Sequence, residues 1–208
     1  PLPDDVSYGV GALLAGDGLG VPYHTSRRLP TRGGDTVAVV GCGPIGLGGV
    51  LMQSFLGARV IALDLVPGRL QMAHDMGAAE TVNVTEGDPV EAVRGLTGGR
   101  LADAVIEASG RPEGFALALK LVGKAGTVAC NGENRDVTLN VGSDLIRRDI
   151  TLFGSWFYHI REYPEMLDLV RRGLPVEKLI TASYPLAEAQ QAYADFAAGK
   201  TAKAVLEP

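Results

Sequence analysis

The chain has 208 residues, 46% of them hydrophobic, with 19 Lys plus Arg against 24 Asp plus Glu and a formal net charge of −5. That length suits one large domain or a domain with an appendage, and the mild acidity argues against a general nucleic-acid surface. No apolar run reaches the ~18 residues of a membrane span, nothing at the start reads as a signal peptide, and Cys42 and Cys130 form no C-x-x-C pair, so the expected setting is a reducing cytoplasm without membrane or disulfide framework.

In chain order, Asp4-Asp5 cap a helix over V-S-Y-G-V-G-A-L-L-A. Asp17–Gly20, D-G-L-G, reads as a break, and a second helix is expected from Val21 or Pro22 to about Leu29. Pro30–Asp35 is a polar turn into Thr36–Val40, a short β-branched run that reads as a buried strand.

Gly41, Gly43 and Gly46 follow at once as G-x-G-x-x-G, then a helical run from about Pro44 to Leu56, then a second apolar run, Val60–Leu63, ending on Asp64. Each part has a use in holding a dinucleotide. Gly41 permits the tight turn, Gly43 lets a pyrophosphate approach the backbone, and Gly46 brings the helix close to the sheet. Pro44 and Ile45 open the helix, where a missing N–H costs nothing and the dipole attracts phosphate. Asp64 lies 18 residues after Gly46, close to the ~20 expected for an acid that holds an adenosine ribose. A carboxylate there repels the 2′-phosphate of NADP and favours NAD, while nearby Arg69 could blur that choice or lie along the adenosine of NAD.

The β/α alternation continues. Pro67–Met76 is a helix stopped by Gly77, and Thr81–Val84 a strand. A helix opens at Asp88-Pro89 and runs to Leu96; Asp103–Ala108 is the fourth strand, Pro112–Val122 a helix and Gly126–Cys130 the fifth strand. Asn134–Arg148 has mixed signals, with one helical turn at S-D-L-I-R-R, and Ile150–Trp156 is the sixth strand. Six strands separated by helices predict an α/β fold, a Rossmann-type doubly wound parallel sheet in the order 3-2-1-4-5-6. Ligands then bind beyond the carboxyl ends of the strands, around Gly41–Gly46, Asp64, Ala108–Gly110 and Asn131–Gly132. The tail reads as an amphipathic helix Tyr163–Arg172, a strand near Leu179–Tyr184, a helix Leu186–Ala198 and a last strand Ala202–Leu206, the last expected to contact something outside the nucleotide unit.

His74 is expected at the surface, His24 in a structural role with a crevice-facing alternative, and His159 near the carboxyl ends of the strands. The Arg147-Arg148 and Arg171-Arg172 pairs read as solvated helix ends.

The succession G-D-G-L-G-V-P-Y-H-T, G-C-G-P-I-G, A-L-D-L-V-P-G-R-L, V-I-E-A-S-G, G-T-V-A-C-N-G and A-G-K-T-A-K-A-V-L resembles the medium-chain, zinc-type alcohol and polyol dehydrogenases over essentially the whole chain. The resemblance implies an NAD site in which the glycine turn (Gly41, Gly43, Pro44, Ile45, Gly46), Asp64, Leu65 and Arg69 hold the adenosine half. It further implies that Ala108 and Ser109 border the nicotinamide-side ribose, that Asn131, Gly132 and Phe157 meet the carboxamide, and that Lys203 approaches the pyrophosphate. In that family a GroES-like lobe supplies most ligands of the catalytic zinc; nothing here matches it, so the expectation is a fragment that binds NAD but does not turn over alone. Its segments would be a lead-in at 1–30, the NAD-binding domain at 31–160 and a return toward the lobe at 161–208. Asp17 aligns with a zinc-ligand position, and would ligate only in the full-length enzyme; the alternative is a helix-capping turn. The implied partners are a small alcohol or polyol, the missing lobe and a second copy in a homodimer or homotetramer. Two other readings use the same crevice: a stand-alone NAD(H)-binding module, and an NADPH-dependent quinone reductase relative.

Overall fold

The computed structural model describes residues 2–208; Pro1, the first residue of the expected 1–30 lead-in, lies outside them. Two helices, α1 (Tyr8–Leu14) and α2 (Asp17–Arg28), precede the sheet. The alternating unit is β1 (Thr36–Val40), α3 (Pro44–Phe55), β2 (Arg59–Asp64), α4 (Pro67–Asp75), β3 (Glu80–Asn83), α5 (Pro89–Leu96), β4 (Ala102–Glu107), α6 (Pro112–Leu121), β5 (Val122–Cys130) and β6 (Thr151–Gly154). The tail forms α7 (Tyr163–Arg171), β7 (Ala182–Pro185), α8 (Ala189–Ala197) and β8 (Ala204–Glu207).

The six strands pair in parallel in the order β3-β2-β1-β4-β5-β6, the doubly wound arrangement expected of right-handed crossovers. All five residues of β1 are buried, because a parallel sheet is covered on both faces. Successive side chains fall into different cores: Val37 and Val39 pack with α2, α3 and α7, whereas Ala38 and Val40 pack with α5 and α6.

Two expectations need correction. Asp17–Gly20 is no break, since α2 begins at Asp17. Its glycines serve packing: a Cβ on Gly20 would lie 2.4 Å from the Tyr158 ring. Pro22 sits inside α2 and leaves the Gly18 carbonyl without its usual i+4 donor. Helix α3 uses that bare strip, where a Cβ on Gly48 would lie 2.5 Å from Pro22 Cγ and 2.7 Å from the Gly18 oxygen. The last strand meets β7, outside the nucleotide unit: β8 and β7 pair in parallel in a separate two-stranded sheet. Finally, Arg148 is not a solvated helix end; its guanidinium donates to the carbonyls of Leu119, at 2.6 Å, and Val122. At the edges, β5 starts at Val122 instead of Gly126 because Val122 already pairs with Ala102 before the ladder slips.

Candidate functional site

The carboxyl ends of β1, β2, β4 and β5 meet at one crevice, and the turn after β1 is its floor. Gly41 adopts φ +92° and donates its N–H to Leu63 O at 2.8 Å. A Cβ there would lie 2.7 Å from Ser109 Cα, so Gly41 is needed both for the turn and for the approach of the loop after β4. Gly46 packs harder still, its missing Cβ falling 1.8 Å from Gly41 O. Gly43 differs: nothing lies within 4 Å of a Cβ built on it, so the backbone faces open space. Helix α3 starts there with Pro44, and its first intrahelical bond is Leu47 N–H to Gly43 O at 2.8 Å. The N–H groups of Ile45 and Gly46 are therefore without intrahelical acceptors at the positive end of the dipole.

Asp64 is 7% exposed and stands beside this turn. Its Oδ2 accepts from Cys42 N–H at 2.7 Å and its Oδ1 from Val66 N–H at 2.9 Å. The carboxylate thus braces the glycine turn from β2, leaving each oxygen a further lone pair. Leu65 is exposed and Arg69 half-buried next to it. Burial pushes the Cys42 thiol up to about 12; Asp64 adds to the rise and Arg69 opposes it. A buried thiol of that kind is inert packing, not a nucleophile.

On the far side, Ala108 donates to Val40 O at 2.8 Å, tying β4 to β1. Ser109 donates N–H and Oγ–H to Glu107, and the N–H groups of Asn131 and Gly132 donate to the Glu107 carbonyl at 2.8 and 2.9 Å. The N–H groups of Ser109, Asn131 and Gly132 are thereby used within the protein. Glu107 was not among the expected site residues. The sequence signal for it was a carboxylate closing the buried run Ala104–Ile106.

A cavity of about 760 Å³ opens beside Asn131 and Gly132 and is also lined by Phe157, His24, Arg28 and His159. The Asn131 amide donates to Thr25 Oγ1 and to Ser155 O, both at 2.9 Å, so α2 is locked to the ends of β5 and β6. His24 has both roles considered for it: it faces this cavity, and its Nδ1 lies 3.0 Å from Glu162. Burial opposes ionisation of Glu162, but the His159 N–H and His24 outweigh it and hold the carboxyl below its ordinary range. His74 is exposed.

Lys203 enters from the loop before β8. It lines a second cavity, of about 380 Å³, together with Pro44, Ile45, Asp17, Tyr193 and Phe196. Asp17 is the first residue of α2, with Gly16 in the N-cap position. Among the described residues, no three His, Cys, Asp or Glu side chains come together as a metal site. The dinucleotide and the zinc ion implied by the sequence therefore differ in fit. The open backbone over Gly43, the spare amides of α3 and Asp64 beside them fit a dinucleotide. A zinc ion finds only one carboxylate.

A family model described as zinc-binding dehydrogenase matches residues 44–172. A zinc-type alcohol dehydrogenase-like protein of Escherichia coli is 35% identical over 99% of this chain and 58% of its own length. Sorbitol dehydrogenase of Bacillus subtilis is 32% identical over 92% of this chain and 54% of its own. Alcohol dehydrogenase from Thermus sp. ATN1 superposes with a TM-score of 0.92 at 29% identity, covering all of this chain and 60% of that one. The chain spans little more than half the length of the curated relatives it matches.

Proposed function

This chain belongs to the zinc-binding dehydrogenase family, and from that premise we propose that it is the NAD-binding part of an alcohol or polyol dehydrogenase. The observation that carries the reading is the bare Gly43 backbone at the start of α3 with Asp64 bonded to the same turn. When bound, the dinucleotide supplies the hydride acceptor. The chain's own residues do the rest of the binding. The α3 amides and Lys203 neutralise the pyrophosphate. Asp64, with Leu65 and Arg69, holds the adenosine ribose and disfavours a 2′-phosphate. Ala108, Ser109, Asn131, Gly132 and Phe157 form the wall against which the nicotinamide is oriented. The described residues do not make a zinc site; Asp17 joins one only if the other part of an enzyme brings further ligands.

The remaining assignments belong to the same proposal. The segment 161–208 ends in a parallel pair with unpaired edges, beside exposed Tyr193 and Phe196, and this is where a second lobe would dock. Two isolated strands are marginal unless something extends them. Of the two edges of the six-stranded sheet, β3 and β6, the β6 edge is flanked by exposed Ile146 and Trp156, and we assign it to contact with a second copy. Sedimentation across a hundredfold range of concentration checks this: a species that stays monomeric throughout removes the assignment. The two unpaired thiols suit the cytoplasm, and no helix among the described residues is long and apolar enough to cross a membrane.

Calorimetric titration tests the central reading. NADH should bind with a dissociation constant in the micromolar range, about −8 kcal/mol, and NADPH at least tenfold more weakly. Folded protein that takes up no NADH, or that prefers NADPH, overturns it.

A further inference from the structure

Glu107 is a carboxylate with no accessible surface, and among the described residues no Lys, Arg or His pairs with it. An ion removed from water in that way is costly unless hydrogen bonds replace the water. Here they do. Oε1 accepts from Ser109 N–H at 2.8 Å, Ser109 Oγ–H at 2.5 Å and Gly110 N–H at 3.2 Å, and Oε2 accepts from the Asn134 amide at 3.2 Å. Four donors converge on one side chain from two loops that are not adjacent in sequence. With the donors as they stand an acceptor-only group satisfies all four, whereas Gln would turn an NH₂ toward one set of donors. The surroundings are closed to match, since a Cβ on Gly132 would fall 2.4 Å from Gly110 N and 2.5 Å from Glu107 Oε2.

We propose that Glu107 is a positioning residue that fixes the loops 108–110 and 131–134 as one rigid wall, and so sets affinity for the nicotinamide half of the dinucleotide without touching it. The inference rests on the NAD reading above. Its physical content is that the adenosine side, built on Gly41–Gly46, Asp64 and Arg69, is braced by Asp64, whereas the nicotinamide side is braced by Glu107. The two halves of the crevice therefore have separate carboxylate anchors, one at the end of β2 and one at the end of β4.

Calorimetric titration of the 208-residue chain and its Glu107→Gln variant with NADH and with AMP tests this. Binding of NADH should weaken about tenfold or more in the variant, the scale of one lost charge-assisted hydrogen bond, while AMP affinity stays within about twofold. Amide hydrogen exchange, which needs no ligand, should speed up at Ser109 and Gly110 and stay unchanged in α4. Equal affinities of wild type and variant for NADH, or parallel loss of NADH and AMP, overturn the positioning role. A wild-type chain that binds neither ligand overturns the NAD reading itself. Should Glu107→Gln fail to fold, Asn134→Ala, which removes one of the four donors and keeps the carboxylate, decides by the same NADH-to-AMP comparison: loss confined to NADH supports the role, and parallel or absent loss overturns it.

Discussion

Two glycines three residues apart carry opposite kinds of information. At Gly46 the missing side chain is filled by backbone, with Gly41 O 1.8 Å from where a Cβ would be. Neither partner can move without lifting α3 from β1, so Gly46→Ala should cost about 3 kcal/mol or more in urea unfolding, the upper end of overpacking. At Gly43, φ is −74° and the space is empty. Gly43→Ala should leave stability within about 1 kcal/mol of wild type, an N-cap effect. It should nevertheless weaken NADH binding at least tenfold, about 1.4 kcal/mol, because the new methyl group stands where the pyrophosphate approaches. A Gly43→Ala chain that is normal in both assays, or a Gly46→Ala chain of unchanged stability, contradicts this division of labour. Spacing alone marks all three glycines as a motif. It takes the packing around each to separate the one that holds the fold from the one left open for a ligand, and the same holds for Glu107, whose donors come from loops that no local pattern connects.

At the scale of elements, the alternating part of the chain was legible because period and punctuation agree: short β-branched strands, proline at the start of α3, α4, α5 and α6, glycine after α4. The misreadings fall where local chemistry points one way and tertiary contact the other. The glycines and proline of α2 are poor helix formers, and they are tolerated because α3 and Tyr158 need their bare surface. The parallel pairing of β8 with β7 across α8 repeats the strand-helix-strand pattern of β1 and β2, but in a sheet of its own. Helix α8 is fastened to that pair by charge. Asp195 accepts from Lys200, Gln191 and Tyr184, and these bonds, led by Lys200, hold its carboxyl down to about 2 from an ordinary 3.8. A carboxyl depressed in the folded state stabilises above its unfolded pKa, and that contribution disappears as the pH falls through the interval from about 4 to about 2. The protection factors of the α8 amides, exchange rates taken relative to the unstructured chain at the same pH, should therefore fall on acidification across that window ahead of those of the central sheet. In Asp195→Asn they should already be low at pH 6 and change little with pH; an α8 whose protection responds to acid alike in both proteins removes the Asp195 anchor.

At the scale of the molecule, the alternation of strands and helices suggests a self-sufficient unit at 31–160 with appendages, but the core is drawn from all three segments. Leu13, Leu14, Leu19 and Tyr23 from before the sheet, and Met166, Leu167, Leu174, Val176 and Leu179 from after it, belong to the same buried cluster as Val37, Val39 and Val50. The reason is geometric: β1 lies in the middle of the sheet, and α3 alone is too narrow to cover that face, so α1, α2 and α7 complete the layer. Burial of a large aliphatic side chain is worth about 1.5–3 kcal/mol. Removing these five large residues from beyond position 160 therefore costs on the order of 10 kcal/mol, comparable with the whole 5–15 kcal/mol stability of a domain. A chain cut after residue 160 should show no cooperative urea transition by circular dichroism. One cut after Thr181 keeps all five and loses β7, α8 and β8, whose buried residues in the core are chiefly Ala192 and Ala202. That chain should unfold cooperatively with a stability lower by only a few kcal/mol, and should bind NADH more weakly because Lys203 is gone. If the 160-residue chain unfolds as sharply as the 208-residue one, the tail is an appendage after all and the nucleotide unit holds itself together.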